Sequence, residues 1–267
     1  GDLTPEEQAA ARHWLIDVVD PDEPYSLAAF LDGARAALDD IAARGRTPII
    51  AGGTGQYVWA LLEGWNVPRV PPDDALRAEL EARAQREGAD EVARELAAID
   101  PDAAASIDAN NVRRVIRAIE VTRATGRRFS EWQRDRVPSP EATIVGLMMA
   151  REALYARIDE RVNAMMAAGF EGEVRSLIAA GYGCNVRAMS GIGYRQMCEY
   201  IAGACTLPEA VTKMKTETHR LARMQHAWFA PGDARIRWFD AGSPTLEADT
   251  LAVTAGGASG DGGPAVS

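Results

Sequence analysis

The sequence predicts an α/β fold, with a parallel sheet flanked by helices and interrupted by an α-helical insertion domain. Short apolar runs alternate with amphipathic segments of helical period, which is typical of βα units. A glycine-rich turn stands between one apolar run and the helical segment after it. A proline-rich stretch at 66–72 then leads into a long, strongly charged helical region.

The first βα units are predicted from the apolar pattern. Trp14–Val19 and Ile49–Ala51 are expected to be strands, the second of them buried. Residues 26–44 between them have apolar side chains at a period of 3.6, which predicts a helix. Ser26 is the expected N-cap of this helix, and Gly45 is expected to end it.

The turn Gly52-Gly-Thr-Gly follows the second predicted strand directly. In an open α/β sheet, ligands bind at the carboxyl ends of the strands. Gly52 and Gly53 would let a ligand approach the backbone closely, and Thr54 would place a hydroxyl and an amide at a helix N-terminus, where anions are favoured. The alternative interpretation is a tight strand-to-helix turn with a capping threonine.

The predicted insertion changes charge along its length. Asp73–Asp102 is helical and acidic, whereas Val112–Arg136 carries eight arginines against three acids. The buried face of the second helix is predicted to contain Val112, Val115, Ile116 and Ile119, so the arginines must point elsewhere. Arginine without lysine favours bidentate phosphate recognition, although a solvated cationic face is the alternative. The three arginines predicted to point away from the core are Arg113, Arg114 and Arg117. Asn110 or Asn111 is expected to cap this helix, and Gly126 is expected to end it.

The second half of the chain returns to the α/β pattern. Thr143–Ala150 is predicted to be a buried strand, followed by a helix on which Arg157 and Arg161 share one face. Two arginines on one face could bind a diphosphate. The alternative is that they form ion pairs with Asp159 or Glu160. The remaining expected elements are a continuous helix over 163–180, a glycine-flexible turn at 190–196, a helix that starts with a capping box at Thr206–Glu209 and runs to about Phe229, and a last strand at 235–240.

Composition excludes several classes of protein. No apolar run approaches the length needed to span a bilayer, so neither a secretory leader nor a membrane partner is expected. The three cysteines lack zinc spacing, and their odd number favours a reducing cytoplasm. The net charge of −10 argues against indiscriminate nucleic-acid binding. Residues 241–267 are rich in Gly, Ser and Ala and are expected to be a disordered tail.

Several stretches, in order along the chain, carry a family resemblance. Together they resemble the bacterial tRNA dimethylallyltransferase (tRNA isopentenyltransferase) family over about residues 10–240. The matching stretches are Leu15–Ser26, Gly52–Tyr57, Asn111–Val121, Arg151–Arg161, Gly169–Val174, Gly191–Gln196 and Arg223–Trp228.

The resemblance implies a P-loop NTPase-like core and a helical insertion that grips the anticodon stem-loop of tRNA. The implied reaction uses Mg²⁺ and moves a dimethylallyl group from dimethylallyl diphosphate to N6 of the adenosine 3′-adjacent to the anticodon, in tRNAs reading codons that begin with U. The implied domains are a catalytic core at 1–65 and 141–240 and a tRNA-binding insertion at 66–140. The protein is expected to be a monomer.

The resemblance also implies roles for individual residues. Arg161 would be catalytic on the diphosphate side, with Arg157 beside it, and Thr54 would be catalytic and contact the target nucleotide. No protein side chain is predicted to be a metal ligand. The residues expected to bind tRNA are Thr54, Arg77, Arg113, Arg114, Arg117, Ile192, Gly193, Tyr194, Arg195, Gln196, Gln225 and Trp228.

The sequence departs from the family pattern in three ways. No Gly-Lys-Ser/Thr phosphate loop and no general-base aspartate can be assigned, and Met224 and Ala227 replace the arginine and threonine of an Arg-Gln-x-Thr-Trp motif. We therefore expect these 267 residues on their own to be inactive, or nearly so. The alternatives are a non-catalytic tRNA-binding remnant and a prenyltransferase for free adenine nucleotides, although the arginine-rich insertion argues against the latter.

Overall fold

The structure is a computed structural model that describes residues 11–256. Within this range the chain divides into two compact units. The sheet unit comprises 11–25, 41–56 and 141–256, and the helical unit comprises 26–40 and 57–140. No helix of the described residues is both long and apolar enough to cross a membrane.

Seven helices lie wholly or mainly in the helical unit, within the described range. Leu80, Val92, Leu96, Val115 and Ile119 form the centre of its core, where each is almost inaccessible to solvent. The helices are α1 (Leu27–Ala43), α2 (Gly55–Leu62), α3 (Asp74–Glu87), α4 (Ala89–Ile99), α5 (Pro101–Ser106), α6 (Val112–Thr125) and α7 (Phe129–Arg134).

Local sequence signals account for the helix ends. The Ser26 hydroxyl accepts a hydrogen bond from the amide of Ala29 at 3.1 Å, which caps α1 as predicted. The Asn111 side chain accepts the amide hydrogen bond of Arg114 and caps α6. Gly126 ends α6 in the left-handed conformation, with φ 67°, as the sequence predicts.

A buried carboxylate, that of Glu120, organises the helical unit. It accepts two hydrogen bonds of 2.8 Å from the Arg77 guanidinium, one of 2.7 Å from the amide of Asp73, and one from Arg117. Arg117 also donates to the carbonyl oxygen of Val70 at 3.0 Å. Glu120 is 1% exposed. Its hydrogen bonds join α3 to α6, and its partner Arg117 joins them to the proline-rich segment.

The two ends of the stretch predicted as an insertion meet. The amide of Val137 donates to the carbonyl oxygen of Gly64 at 2.8 Å, and Trp65 forms an antiparallel bridge with Arg136. A Cβ on Gly64 would stand 2.0 Å from the Val137 carbonyl oxygen, so only glycine fits here. The helical unit also includes 26–40 and 57–65, and the boundaries at 66 and 140 stay a prediction.

The sheet unit contains a parallel pair of strands and five helices in its described part. Strand β1 (Ile144–Met148) pairs with β2 (Ile236–Asp240), with Gly146 beside Trp238. This arrangement confirms the predicted α/β class. The helices are α8 (Arg151–Ala167), α9 (Phe170–Ala179), α10 (Tyr194–Ile201), α11 (Leu207–Trp228) and α12 (Leu246–Gly256), and a 3-10 turn at Arg187–Ser190 precedes α10.

The structure corrects two of the predicted strands. Trp14–Val19 is irregular, because Leu15 and Asp17 have φ angles of 61° and 51°, which extended backbone does not allow. Ile49–Ala51 forms no strand either, and Ile49 is 88% exposed. A parallel strand needs neighbours for its backbone groups, and among the described residues β1 and β2 pair only with each other.

Three further expectations differ from the structure. The helix predicted over 163–180 is broken at Gly169, whose φ of 100° lies outside the helical range. Strand β1 is only partly buried, since Leu147 is 57% exposed. The predicted disordered tail contains helix α12 at Leu246–Gly256, and the expectation for 257–267 lies outside the described residues.

Cys184 and Cys198 are joined by a disulfide, whereas Cys205 is a free thiol. The sequence pattern alone favours reduced cysteines and does not indicate this pair. The two cysteines are 14 positions apart in sequence, and the segment between them includes Gly193, with its positive φ, and the start of α10. The disulfide therefore ties the chain after α9 to α10.

We predict that Glu120→Gln lowers the free energy of unfolding by about 3 kcal/mol at pH 7, because it leaves two guanidinium groups without their charged partner. Burial acts to raise the pKa of Glu120, but the bonds from Arg77, the Asp73 amide and Arg117 outweigh it and hold the pKa below its usual value. The wild type therefore keeps this stability above about pH 4.5 and loses it as the pH falls through the folded-state pKa.

Urea denaturation between pH 3 and 7 measures both effects. Glu91→Gln is the matched control, because Glu91 pairs with Arg94 on the surface and should contribute less than about 1 kcal/mol. The free energy of unfolding of Glu120→Gln should also change less between pH 5 and pH 3 than that of the wild type. Equal effects of the two substitutions would contradict the role assigned to Glu120.

Candidate functional site

The glycine-rich turn packs against the C-terminal end of α11. The side-chain amide of Gln225 donates to the carbonyl oxygen of Gly53 at 3.3 Å. A Cβ on Gly53 would stand 2.2 Å from the Gln225 amide nitrogen, and a Cβ on Gly55 would stand 2.2 Å from the Trp228 ring. Segments about 170 residues apart in sequence are therefore in direct contact.

These contacts change the interpretation of the glycines. The sequence predicts that Gly52 and Gly53 allow a ligand to approach, whereas in the structure Gly53 and Gly55 allow the approach of α11. Gly52 has open space around its Cβ position. The glycines thus hold the turn and α11 in a fixed relation.

Thr54 lies between the two contacts and is exposed. It directly precedes α2, so its position at a helix N-terminus is as predicted. The structure therefore brings together three of the predicted site residues, namely Thr54, Gln225 and Trp228. Trp228 is 43% exposed, so it is only partly covered by the turn.

Arg157 and Arg161 lie on an exposed face of α8. With about 100° of rotation per residue, they are about 200° and 240° around the helix from Tyr155, which packs toward α11. Neither arginine has an ion-pair partner within residues 11–256. The alternative of pairing with Asp159 is not seen, because Asp159 faces His219.

The stretch at 192–196 divides into scaffold and surface. The Gly193 amide donates to the buried Gln196 side chain at 2.8 Å, and Gly193 has a φ of 98°. The Tyr194 hydroxyl donates to Glu173. Ile192 and Arg195 are exposed, with Arg195 3.8 Å from Glu217. Gln196 and Gly193 shape the turn, whereas Ile192 and Arg195 are accessible to a ligand.

The predicted RNA-binding arginines of the helical unit fall into two groups. Arg77 and Arg117 are bound to Glu120, as described above. Arg113 and Arg114 are exposed, and their side chains have no ion pair within the described part of the chain. The second pair is therefore available to an anion without breaking any described salt bridge.

Glu120 is the residue of the helical unit whose importance was not predicted from the sequence. Its position in the sequence nevertheless indicates that its side chain is buried. It lies eight residues after Val112 and so continues the i, i+3, i+4, i+7 pattern onto the buried face of α6. A single acid on a buried face next to several arginines indicates a salt-bridge centre.

Metal-ligating side chains do not converge in the described part of the protein: no group of three or more His, Cys, Asp or Glu residues that could hold a metal ion occurs between residues 11 and 256. The described side chains thus form no protein cage for Mg²⁺. Mg²⁺ commonly binds through substrate phosphates with few protein ligands.

The chain matches known proteins over most of its length. The family model described as IPP transferase matches residues 1–232. A tRNA dimethylallyltransferase of Roseiflexus sp. (strain RS-1) is 53% identical over 227 residues, which is 85% of this chain and 74% of that protein. One of Thermomicrobium roseum is 46% identical over 241 residues, covering 90% and 73% of the two chains.

Solved structures are similar as well. The tRNA isopentenylpyrophosphate transferase from Bacillus halodurans superposes with a TM-score of 0.65 at 36% identity, over 96% of this chain and 80% of that one. A eukaryotic dimethylallyltransferase acting on tRNA gives a TM-score of 0.78 at 23% identity, over 95% and 67% of the two chains, and supports the fold alone.

We predict that Gly55→Ala destabilises the protein by about 1–3 kcal/mol, because the new methyl group overlaps the Cβ and ring of Trp228. Gly52→Ala is the matched control, since its methyl group would enter open space. Guanidinium chloride denaturation gives the two stabilities, and tryptophan emission reports whether Trp228 moves. Equal stability and emission in the two variants would mean that the turn does not pack on α11.

Proposed function

The chain belongs to the IPP transferase family, and from this premise we propose that it transfers a dimethylallyl group from dimethylallyl diphosphate to N6 of the adenosine 3′-adjacent to the anticodon of tRNA. The proposal includes the tRNAs that read codons beginning with U. We also propose that the protein acts in the cytoplasm, because tRNA is used there. We further propose that it acts as a monomer.

The observation that carries the proposal is the packing of Gly53 and Gly55 on Gln225 and Trp228. Thr54, between these two glycines in sequence, is exposed, and Trp228 is 43% exposed. An unstacked base is recognised by hydrogen bonding at its edge and by stacking on an aromatic side chain, which contributes about 1–3 kcal/mol. We assign the target nucleotide to this surface.

The reaction needs a site for the leaving group. The N6 lone pair forms a bond to the allylic carbon, the carbon–oxygen bond to diphosphate breaks with its electron pair going to the diphosphate oxygen, and N6 gives up a proton to water. Arg157 and Arg161, both exposed on one face of α8, would neutralise the charge that grows on the departing diphosphate. Arg161 and Thr54 are therefore proposed as the catalytic residues.

A divalent ion would supply further charge neutralisation to the diphosphate, and Mg²⁺ is proposed for this role. The described residues alone form no cage for it. The residues of this chain that act on the diphosphate in our proposal are therefore the two arginines of α8. The expectation that these 267 residues are inactive on their own is opposed to transfer by this chain alone and stays a prediction, and a prenyl-transfer assay decides between the two.

The helical unit is proposed to hold the anticodon stem-loop. Arg113 and Arg114 are the proposed phosphate contacts, because both are exposed and outside any described ion pair. Arg77 on α3 and Arg117 on α6 keep this second proposed role beside their bonds to Glu120. The proposed contacts of the sheet unit are Thr54, Ile192, Gly193, Tyr194, Arg195, Gln196, Gln225 and Trp228.

Two alternatives remain distinguishable from this function. A tRNA-binding remnant would bind the stem-loop but not diphosphate. A prenyltransferase for free adenine nucleotides would bind AMP without needing Arg113 and Arg114, and the exposure of this pair favours tRNA.

We predict that Arg113→Ala combined with Arg114→Ala weakens binding of an anticodon stem-loop RNA and reduces the slope of log affinity against log salt by about 1–2. Each phosphate contact releases counterions, so its loss lowers the slope. Fluorescence anisotropy between 50 and 200 mM KCl measures both quantities. Arg94→Ala is the control, since Arg94 is an exposed arginine of the same unit. An unchanged slope in the double variant would mean that Arg113 and Arg114 face solvent and do not contact RNA phosphates.

We predict that Arg157→Ala and Arg161→Ala each weaken binding of inorganic pyrophosphate about 10-fold, as expected for a charge-assisted hydrogen bond. Arg175→Ala is the control, because Arg175 is an exposed helical arginine paired with Glu171 on α9. Isothermal titration calorimetry in the presence of Mg²⁺ gives the affinities. If the α8 variants match the control, the diphosphate lies elsewhere.

A further inference from the structure

Four side chains form an alternating stack between α8 and α11. Nη1 of Arg223 donates to the Tyr155 hydroxyl at 2.8 Å, and the Tyr155 ring stacks on His219 with centroids 4.1 Å apart and an interplanar angle of 9°. On the far side, Nε2 of His219 lies 3.0 Å from Oδ1 of Asp159, and both atoms are buried without a hydrogen-bond partner among the described residues, so this end of the stack is a close contact only. We call these four residues the α8–α11 stack.

The stack fixes the register of the two helices. Tyr155 and Asp159 are one turn apart on α8, and His219 and Arg223 are one turn apart on α11. Each side chain contacts one from the opposite helix, so a slip of one turn, about 5.4 Å, would break every contact together. A parallel ring stack adds a preference for one orientation to the apolar packing.

The proposed ligand-binding residues lie on the other faces of the same helices. Arg157 lies between the two stack residues of α8 in sequence but about 200° around the helix from Tyr155. On α11, Gln225 and Trp228 are about 240° and 180° around the helix from His219, where they contact Gly53 and Gly55. The stack itself therefore stands away from both proposed ligands.

We infer that Tyr155, Asp159, His219 and Arg223 are positioning residues, which hold the diphosphate arginines of α8 in register with the nucleotide-binding end of α11. This inference rests on the proposed function. Prenyl transfer requires the allylic carbon within about 3–3.5 Å of N6. One ligand group is proposed on α8 and the other on α11, so the register of the helices sets the relation between them.

The competing role for Arg223 is direct contact with an RNA phosphate, because it is an exposed arginine near Gln225. The salt dependence of binding separates the two roles. Loss of a phosphate contact lowers the salt slope by about 1, whereas loss of a positioning residue weakens binding and leaves the slope unchanged.

The test uses the full chain with Tyr155→Phe, Arg223→Met and the double variant. The probes are a fluorescent anticodon stem-loop RNA and inorganic pyrophosphate with Mg²⁺. We expect each single variant to bind both ligands with about 5-fold lower affinity, as expected for the loss of one hydrogen bond. The double variant should bind about as well as either single one, since both remove the same bond. Arg223→Lys should restore most of the affinity, because lysine can donate to the tyrosine.

Controls keep the outcomes separate. Arg220→Met changes an exposed arginine on α11 that is 4.0 Å from Glu217, and it should leave both affinities unchanged. Circular dichroism melting confirms that every variant is folded. Failure of the wild type to bind the stem-loop would overturn the proposed function and the inference with it.

Three results with a wild type that binds the stem-loop would overturn the inference alone. They are unchanged affinity in Tyr155→Phe, independent effects that multiply in the double variant, and a salt slope that falls by about 1 in Arg223→Met.

Discussion

The contact between the Gly53–Gly55 turn and the end of α11 is the interaction on which the site depends. The turn follows a segment that pairs with no strand in the described chain, and Ile49 in that segment is 88% exposed. The hydrogen bond from Gln225 and the packing of Trp228 therefore carry much of its placement. Because glycine leaves no room to spare at either contact, the distance between turn and helix has little freedom.

Charge is used in two different ways in this acidic protein. The buried carboxylate of Glu120 binds two arginines and a backbone amide. Removing one partner of a buried ion pair is strongly destabilising, because the remaining charge stays buried without a partner. Arg113 and Arg114 on the same helix are exposed and available to anions. A net charge of −10 is thus compatible with a local basic surface.

Sequence reasoning was most successful where structure is determined locally. Ser26 and Gly126 occupy their predicted capping positions, and Asn111 is one of the two predicted caps of α6, because a cap depends on residues within one helical turn. Strands depend on distant partners, and Ile49–Ala51 has the right composition but no partner in the described chain. The sequence placed Thr54, Gln225 and Trp228 in the site through family resemblance, whereas the need for glycine at 53 and 55 became clear only from the fold.

The most consequential element is α11, because its faces meet different parts of the sheet unit. Met214 enters the core, His219 and Arg223 meet α8, and Gln225 and Trp228 meet the turn. These contacts share one helix of 22 residues, so a shift of the helix at one contact would move the others. The proposed site is therefore defined less by any one motif than by the packing of a single helix. For this reason residues that touch neither ligand, such as Tyr155, can determine how the two ligands meet.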